Sequence, residues 1–359
     1  MAKDIIINRK VYRDVDEVRF PISEDSDEFV AFTESKPDML QILVNTNGHT
    51  NSLFNGYAGD NVDFLKDLDF SKVTSMNSMF YNCTSLVTVP QLDTSNVTSM
   101  NSTFANCKSL TTMPLFNTGN VKLMSGMLNG CKSLETIPQL DTSNVTSMNS
   151  MFQNCTSLSS VPLLDTRNVS TISFMFSACK SLVTIPQFDL NEVNDCSSAF
   201  RDCSSLVNVC FSNTINPNNI SYIFYGCVSL ETVSEINVYT VSQSGFNNAF
   251  TSCSSLKNIT LLNIHENLQV GSGMSWGHLL TVESLIGLCK ECSCRGVSRT
   301  LTVGSVNLEK LANVYVKFTD PSVTSISRYT KGDVEVCDST DERAMTITEY
   351  MMLKQWTLA

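Results

Sequence analysis

One column of aromatic residues constrains what this chain can fold into. Phe80, Phe104, Phe152, Phe176, Phe200 and Phe224 fall on a 24-residue grid, and Leu128 fills the missing slot. Phe54 stands 26 residues before Phe80, and Phe250 stands 26 after Phe224. From Phe80 onward a Cys follows each slot by three residues, running from Cys83 to Cys253, and a Leu follows three later, from Leu86 to Leu256. A fixed period in this range marks a repeat architecture. A coil this short has an apolar stripe that it cannot bury alone. Stacked on its copies it buries stripe against stripe, so the expected unit is a solenoid.

The repeat Leu92 to Pro114 shows the expected coil. Val97, Met100 and Phe104 lie at i, i+3 and i+7, which predicts one face of a short helix, with Ser95 or Asn96 as its N-cap. Asn106 follows, in a column shared by Asn82, Gly130, Asn154, Asp202 and Gly226. These residue types accept a left-handed backbone, so the column reads as the helix stop. A short extended segment comes next and ends at Pro114; Pro90, Pro138, Pro162 and Pro186 end its neighbours. The extended segments are expected to form a parallel sheet with strands about 4.8 Å apart. After Pro186 the column changes to Cys210, Ser234 and Thr260. Either the coil geometry changes there, or those rungs approach a cap or a partner.

Composition narrows the class. Charged residues make up 16% and hydrophobic residues 42%, too few charges for a disordered polymer. A net charge of -11 argues against a nucleic-acid surface, which needs clustered Lys and Arg. No run approaches the roughly 20 apolar residues that cross a bilayer, and Met1 to Lys10 does not read as a secretory signal. The chain has 14 Cys. On adjacent rungs their Cα atoms would be close enough for a disulfide, but parallel side chains hold the Cβ atoms apart. Reduced, buried thiols are therefore expected, and with them folding in the reducing cytoplasm.

The segment Leu92 to Phe104 recurs almost verbatim from Leu140 to Phe152, each time followed by Cys-x-Ser-Leu-x-x-Φ-Pro. Over about residues 50 to 262 this resembles the BspA-like leucine-rich repeats, the "surface protein 26-residue repeat" group. The resemblance implies a leucine-rich-repeat-like solenoid of α/β coils with a parallel β face. It also implies a non-enzymatic surface protein of the kind found in bacteria, their phages and some protists, and linked to adhesion. The expected layout is an N-terminal β module over 1–48, the solenoid over 49–262 and an α+β closing cap over 263–359.

In the N-terminal part, Ile5–Ile7 and Val11–Tyr12 flank Asn8-Arg9-Lys10, a hairpin pattern. Val15 to Ile22 is β-type, and Glu24, Asp25, Asp27 and Glu28 form an acidic loop before Phe29. The opening residues resemble the N-terminal β segments of phage structural proteins, which implies attachment or oligomerisation; a cap over the first open rung is the other reading. In the C-terminal part, Val282 to Cys292 and Leu308 to Val316 have helical spacing, and Leu301–Val303 reads as a strand.

Chemistry is sparse. His49, His265 and His278 sit in no metal motif, and no nucleophile elbow, P-loop or dinucleotide fingerprint is present. No catalytic residue and no cofactor are expected. Cys289, Cys292 and Cys294 are weak zinc candidates that need a fourth ligand, such as Cys337 or His278. Asp93, Asp141, Asp165 and Asp189, with Asn117, share a column that reads as a cation-binding edge or as Asx-turns; the Thr-Ser-Asn that follows favours the turn. The outward position of the extended segment carries Thr88, Thr112, Thr136, Ser160 and Thr184. That ladder is the expected binding face for a host-surface glycan or protein, although Thr is also simply a good exposed strand residue.

Together these readings favour a phage fibre, spike or decoration protein, assembled in the host cytoplasm. It would bind other virion proteins through its N-terminal module as a homo-oligomer, trimeric in resembling systems, with no nucleic-acid partner and no membrane insertion. A bacterial cell-surface adhesin is the alternative, and a zinc-binding protein using the C-terminal Cys group is the third reading.

Overall fold

The computed structural model describes residues 50–67 and 70–264 and, in the flanks, the strands alone. The chain divides into two compact units, Met1–Glu192 and Val193–Ala359.

The first unit opens with two antiparallel pairs. Strand β1 (Ile5–Ile7) pairs with β2 (Lys10–Tyr12), as the hairpin pattern predicts, and β3 (Glu17–Pro21) pairs with β4 (Phe29–Thr33). The stack of rungs follows. Each rung turns through i→i−3 bonds: Met79 N–H donates to Met76, Tyr81 to Ser78, Cys83 to Phe80 and Leu86 to Cys83. The amides between them point along the stack. Met76, Ser78, Phe80 and Asn82 donate to the carbonyls of Ser99, Asn101, Thr103 and Ala105 on the next rung, at 2.8–2.9 Å. Every backbone donor from Met76 to Cys83 for which a partner is described is thus satisfied without a helix, Asn77 by the Asn51 side chain and the others by their own rung or the next.

This corrects the expected helix over Val97–Phe104, which forms a run of turns instead. The cause is a second left-handed column, two residues before each Phe. Ser78, Ser102, Gly126 and Ser150 have φ of 54–63° there, which no right-handed helix accommodates. The left-handed column two residues after each Phe is where the sequence places it: Asn82, Asn106, Gly130 and Asn154 have φ of 59–77°.

The interior is a set of ladders. Phe54, Phe80 and Phe104 stack at centroid distances of 5.6 and 5.2 Å, with rings within 10° of parallel, and Phe152 stacks on Phe176 at 5.3 Å. All are buried, as are the Met, Leu and Val columns beside them. Burying each large side chain contributes about 1.5–3 kcal/mol. Polar ladders tie the rungs at the edges. Thr94, Thr118, Thr142 and Thr166 are buried, and each hydroxyl donates to a carbonyl of the next rung. Asn96, Asn120, Asn144 and Asn168 reach the other way, to carbonyls of the preceding rung at 2.7 Å.

Among the described residues of this unit, no parallel sheet forms. Its rungs meet in isolated bridges along Ser75, Ser99, Leu123, Ser147 and Thr171. In the extended segment the proline column removes one amide per rung and restrains the residue before it, so pairing stops after one or two bonds.

In the second unit that proline column is gone and strands appear. Strands β5 (Asn208–Val209), β6 (Thr232–Asn237) and β7 (Asn258–Leu262) form a parallel sheet in the order β5-β6-β7, with Asn208, Thr232 and Asn258 in register. Of the two readings open at the loss of the prolines, the change of coil geometry is the one observed. Phe200, Phe224 and Phe250 stack at 5.4 and 5.5 Å. A one-turn helix, α1 (Gln243–Phe246), enters the last described rung, capped by the Ser242 hydroxyl, which accepts from Gly245 N–H at 3.1 Å.

Beyond it lie β8 (Arg299–Leu301), β9 (Tyr315–Phe318), β10 (Val334–Cys337), β11 (Met345–Thr346) and β12 (Trp356–Leu358), in one antiparallel sheet β10-β9-β11 and one parallel pair β8-β12. Tyr315 and Val316 are strand, not the end of a helix from Leu308. The segments expected as helices over Val282–Cys292 and Leu308–Val314 lie outside the described residues, as does the acidic run from Glu24 to Glu28.

Candidate binding face

The motif Leu-x-x-Φ-Pro sets the candidate face. Leu86, Leu110, Leu134, Leu158 and Leu182 are buried, and so are Val89, Met113, Ile137 and Val161 three residues on. The chain is anchored at both points, and the two residues between them face out. Thr88, Thr112, Thr136, Ser160 and Thr184 are all exposed, and so are Val87, Thr111, Glu135, Ser159 and Val183 beside them. The rungs are held in step by the Thr111 amide on the Val87 carbonyl at 3.2 Å and the Ser159 amide on Glu135 at 3.1 Å. The Thr111 and Ser159 hydroxyls donate to the same two carbonyls, at 3.4 and 3.3 Å. Among the described residues, the hydroxyls of Thr112, Thr136 and Ser160 take no hydrogen bond within the chain. They are donors and acceptors open to a partner, repeated about every 4.8 Å.

The Asp column is occupied internally. Asp93, Asp141, Asp165 and Asp189 each accept the amide two residues on at 3.0–3.1 Å, and Asn117 does the same at 3.3 Å. These are Asx-turns. The Ser143 hydroxyl and amide lower the Asp141 carboxyl below its ordinary range, and the Arg167 side chain does so for Asp165. Among the described residues, no group of three His, Cys, Asp or Glu side chains is placed to hold a metal. The zinc candidates Cys289, Cys292 and Cys294, with His278, lie outside the described residues, as do His49 and His265; Cys337 falls in β10.

The cysteine column has a role that sequence reasoning missed. Among the described residues no cysteine is in a disulfide, and all but Cys210 are buried. Cys107, Cys131, Cys155 and Cys179 each donate Sγ–H to the backbone carbonyl of the Phe slot one rung back, at 3.0–3.2 Å. That carbonyl already accepts one amide of its own rung, so the thiol fills its second lone pair. Cys227 and Cys253 repeat the contact on Phe200 and Phe224. Burial pushes the Cys155 and Cys253 thiols up to about 12. Cys107 is raised first by its hydrogen bond with Cys83 and then by burial. Cys131 and Cys227 are raised by burial as well, so these thiols stay protonated donors. The strict use of Cys where Ala or Val would also fill the space was the available signal.

The second unit presents a different face at the same columns. Asn208 and Asn258 are exposed, Thr232 is half-buried between them, and Lys257 Nζ pairs with Glu231 Oε1 across rungs at 2.8 Å. No helix among the described residues is long and apolar enough to cross a membrane.

Among solved structures, the chain is similar to a leucine-rich-repeat protein of Bacteroides ovatus, at 18% identity over 72% of this chain and 82% of that one, with a TM-score of 0.30. It is similar to the T. pallidum leucine-rich-repeat protein at 22% identity, over 51% and 72% of the two chains, with a TM-score of 0.28. A leucine-rich cell-surface protein of Faecalibacterium prausnitzii shares 20% identity over 57% and 74%, with a TM-score of 0.27. No curated protein matches. One family model matches three overlapping stretches, 49–162, 111–211 and 159–262, the same residues that carry the resemblance to BspA-like repeats. The matches together span more than half of the 359 residues, and the chain belongs to the family described as "Mycoplasma protein of unknown function, DUF285".

Proposed function

We propose that this chain is a non-enzymatic binding protein that presents the hydroxyl ladder of its first unit to a repetitive partner, a surface glycan or an extended protein. One observation carries this reading: five successive rungs expose Thr88, Thr112, Thr136, Ser160 and Thr184, and the fold leaves the hydroxyls of the central three without an internal partner. A rung spacing near 4.8 Å is close to the length of one sugar ring in a polysaccharide. Many weak contacts in register then add as in any multivalent attachment.

Its setting, in this proposal, is a phage particle, where the chain acts as a fibre, spike or decoration protein, oligomeric and attached through its N-terminal strands. The thiol ladder supports folding in a reducing compartment before assembly, because each thiol must stay protonated and unpaired to reach its carbonyl. A bacterial cell-surface adhesin is the alternative, supported by the resemblance to BspA-like repeats.

The test is the triple variant Thr112→Arg, Thr136→Arg, Ser160→Arg. These exposed positions keep the fold, so circular dichroism and Tm stay near wild type while binding to host cells falls at least tenfold. Unchanged binding removes the face from the account. Co-sedimentation with capsid or tail proteins supports the particle, and recovery on the cell envelope alone rejects it.

A further inference from the structure

We propose that a corner of the second unit, formed by Arg201, Tyr222, Tyr225, Asn248 and Thr251, is a saccharide-binding site. It lies on other columns than the hydroxyl ladder and does not depend on it. The slot two residues before each Phe is left-handed, and Ser78, Ser102, Ser150 and Ser198 show that serine meets the backbone's need there. Tyr222 holds the slot at φ 57°, a conformation that bulky side chains avoid; Phe174 of the first unit is the other aromatic in the column. The fold asks for a small residue and carries a large, half-buried one.

The ring is positioned. The Arg201 guanidinium carbon lies 5.5 Å from the Tyr222 ring centroid and 5.2 Å from that of Tyr225, bridging two rungs. Asp202 Oδ2 accepts from Arg201 Nε at 3.3 Å and holds the guanidinium in place. The two tyrosine centroids are 5.7 Å apart and the rings are tilted by 53°, so they do not stack on each other. On the next rung the same two columns carry Asn248 and Thr251, joined by a hydrogen bond from Thr251 Oγ1 to Asn248 Oδ1 at 3.2 Å. Backbone bonds from Tyr222 to Asn247 and from Gly226 to Thr251 keep the rungs in step. The corner therefore spans three rungs, on the order of 10 Å along the stack, about two sugar rings.

A pyranose has a face of C–H bonds and a rim of hydroxyls. Tilted phenol rings suit the face; the guanidinium Nη groups, the phenol hydroxyls and the Asn248 amide suit the rim. A protein partner anchored on tyrosine and arginine buries them in a well-packed, fully desolvated pocket. Here the neighbours are Asp202, Asn248 and Thr251, which favours a sugar.

The experiment uses the full chain and saturation-transfer NMR against a panel of neutral and acidic pyranose oligosaccharides, followed by titration calorimetry on any binder. Tyr222→Ser installs the residue that the column ordinarily takes, so the fold is retained and a poorly folding variant is not the concern. At least one saccharide is expected to bind wild type, to lose at least tenfold in affinity with Tyr222→Ser and with Tyr225→Ala, and to be unaffected by the Thr112→Arg triple variant. Loss with the triple variant alone assigns saccharide binding to the hydroxyl ladder and overturns this site. Binding by no member of the panel, equal affinity of Tyr222→Ser, or a protein partner lost with Tyr222→Ser while every saccharide fails, also overturns it.

Discussion

The two units solve the same packing problem with different backbones. Both stack a Phe column, and both tie rungs through amides at every second residue around it. They part at the extended segment. In the first unit Pro90, Pro114, Pro138, Pro162 and Pro186 limit pairing to one or two bonds, and no strand forms over residues 73–192. In the second, Cys210, Ser234 and Thr260 stand in that column and β5, β6 and β7 pair as a parallel sheet. The stack therefore does not require a sheet. Side-chain ladders and turn amides carry the first unit, and the sheet is an addition in the second.

The largest effect should leave this contrast intact, because the thiol ladder is common to both units. A thiol whose pKa rises on folding favours the folded state fully below its unfolded pKa near 9 and loses that contribution as pH climbs toward about 12. Between those limits each such thiol withdraws about 1.4 kcal/mol per pH unit. Denaturant midpoints measured from pH 8 to 11 should fall steeply above pH 9, and the thiols should resist alkylation below it until the chain unfolds. Next come Phe152→Ala and Phe224→Ala. Each opens a cavity in a dry ladder, and a loss of about 3–5 kcal/mol is expected in calorimetry. Similar losses show that the Phe column matters equally with and without a sheet; a much smaller loss at Phe224 would show that the sheet has taken over the load.

Exchanging the column residues sharpens the contrast. Ser234→Pro places the first unit's residue inside β6 and removes the hydroxyl that accepts from Phe211 N–H at 3.0 Å. It should cost about 1–3 kcal/mol, whereas the reverse change, Pro138→Ser, should stay within about 1 kcal/mol. The smallest effect is expected from Thr142→Val, which strips one buried hydroxyl from the Asp165 carbonyl and should cost about 1 kcal/mol in urea unfolding.

Much of this was legible in the sequence, for reasons that can be named. The period and the core columns were, because Phe, Cys and Leu at fixed offsets admit no other stack. The left-handed position at Asn106 was, because Asn, Gly and Asp in one column have a single conformational meaning. The exposure of the Thr88 column was, because the Leu and Val anchors on either side leave it nowhere else to point. The helix was misread because Val97, Met100 and Phe104 are spaced alike for a helix and for three successive turns; only Gly126 hinted that the serine slot is left-handed. The thiol's role was missed because a single buried Cys reads the same as a small hydrophobe, and only its strict recurrence along the column pointed further. The Arg201–Tyr222–Tyr225 corner could not be read at all, since it forms only when columns from two rungs are brought together.

The stack is held by amides that bond along it and not around a helix. Scalar couplings across hydrogen bonds in a deuterated sample measure this directly. The expected couplings join Ser150 N to the Ser173 carbonyl carbon, Phe152 N to Met175 and Asn154 N to Ser177, each 23 residues on. Couplings from Phe152 N to the Met148 carbonyl carbon, the signature of an α-helical turn, would contradict it.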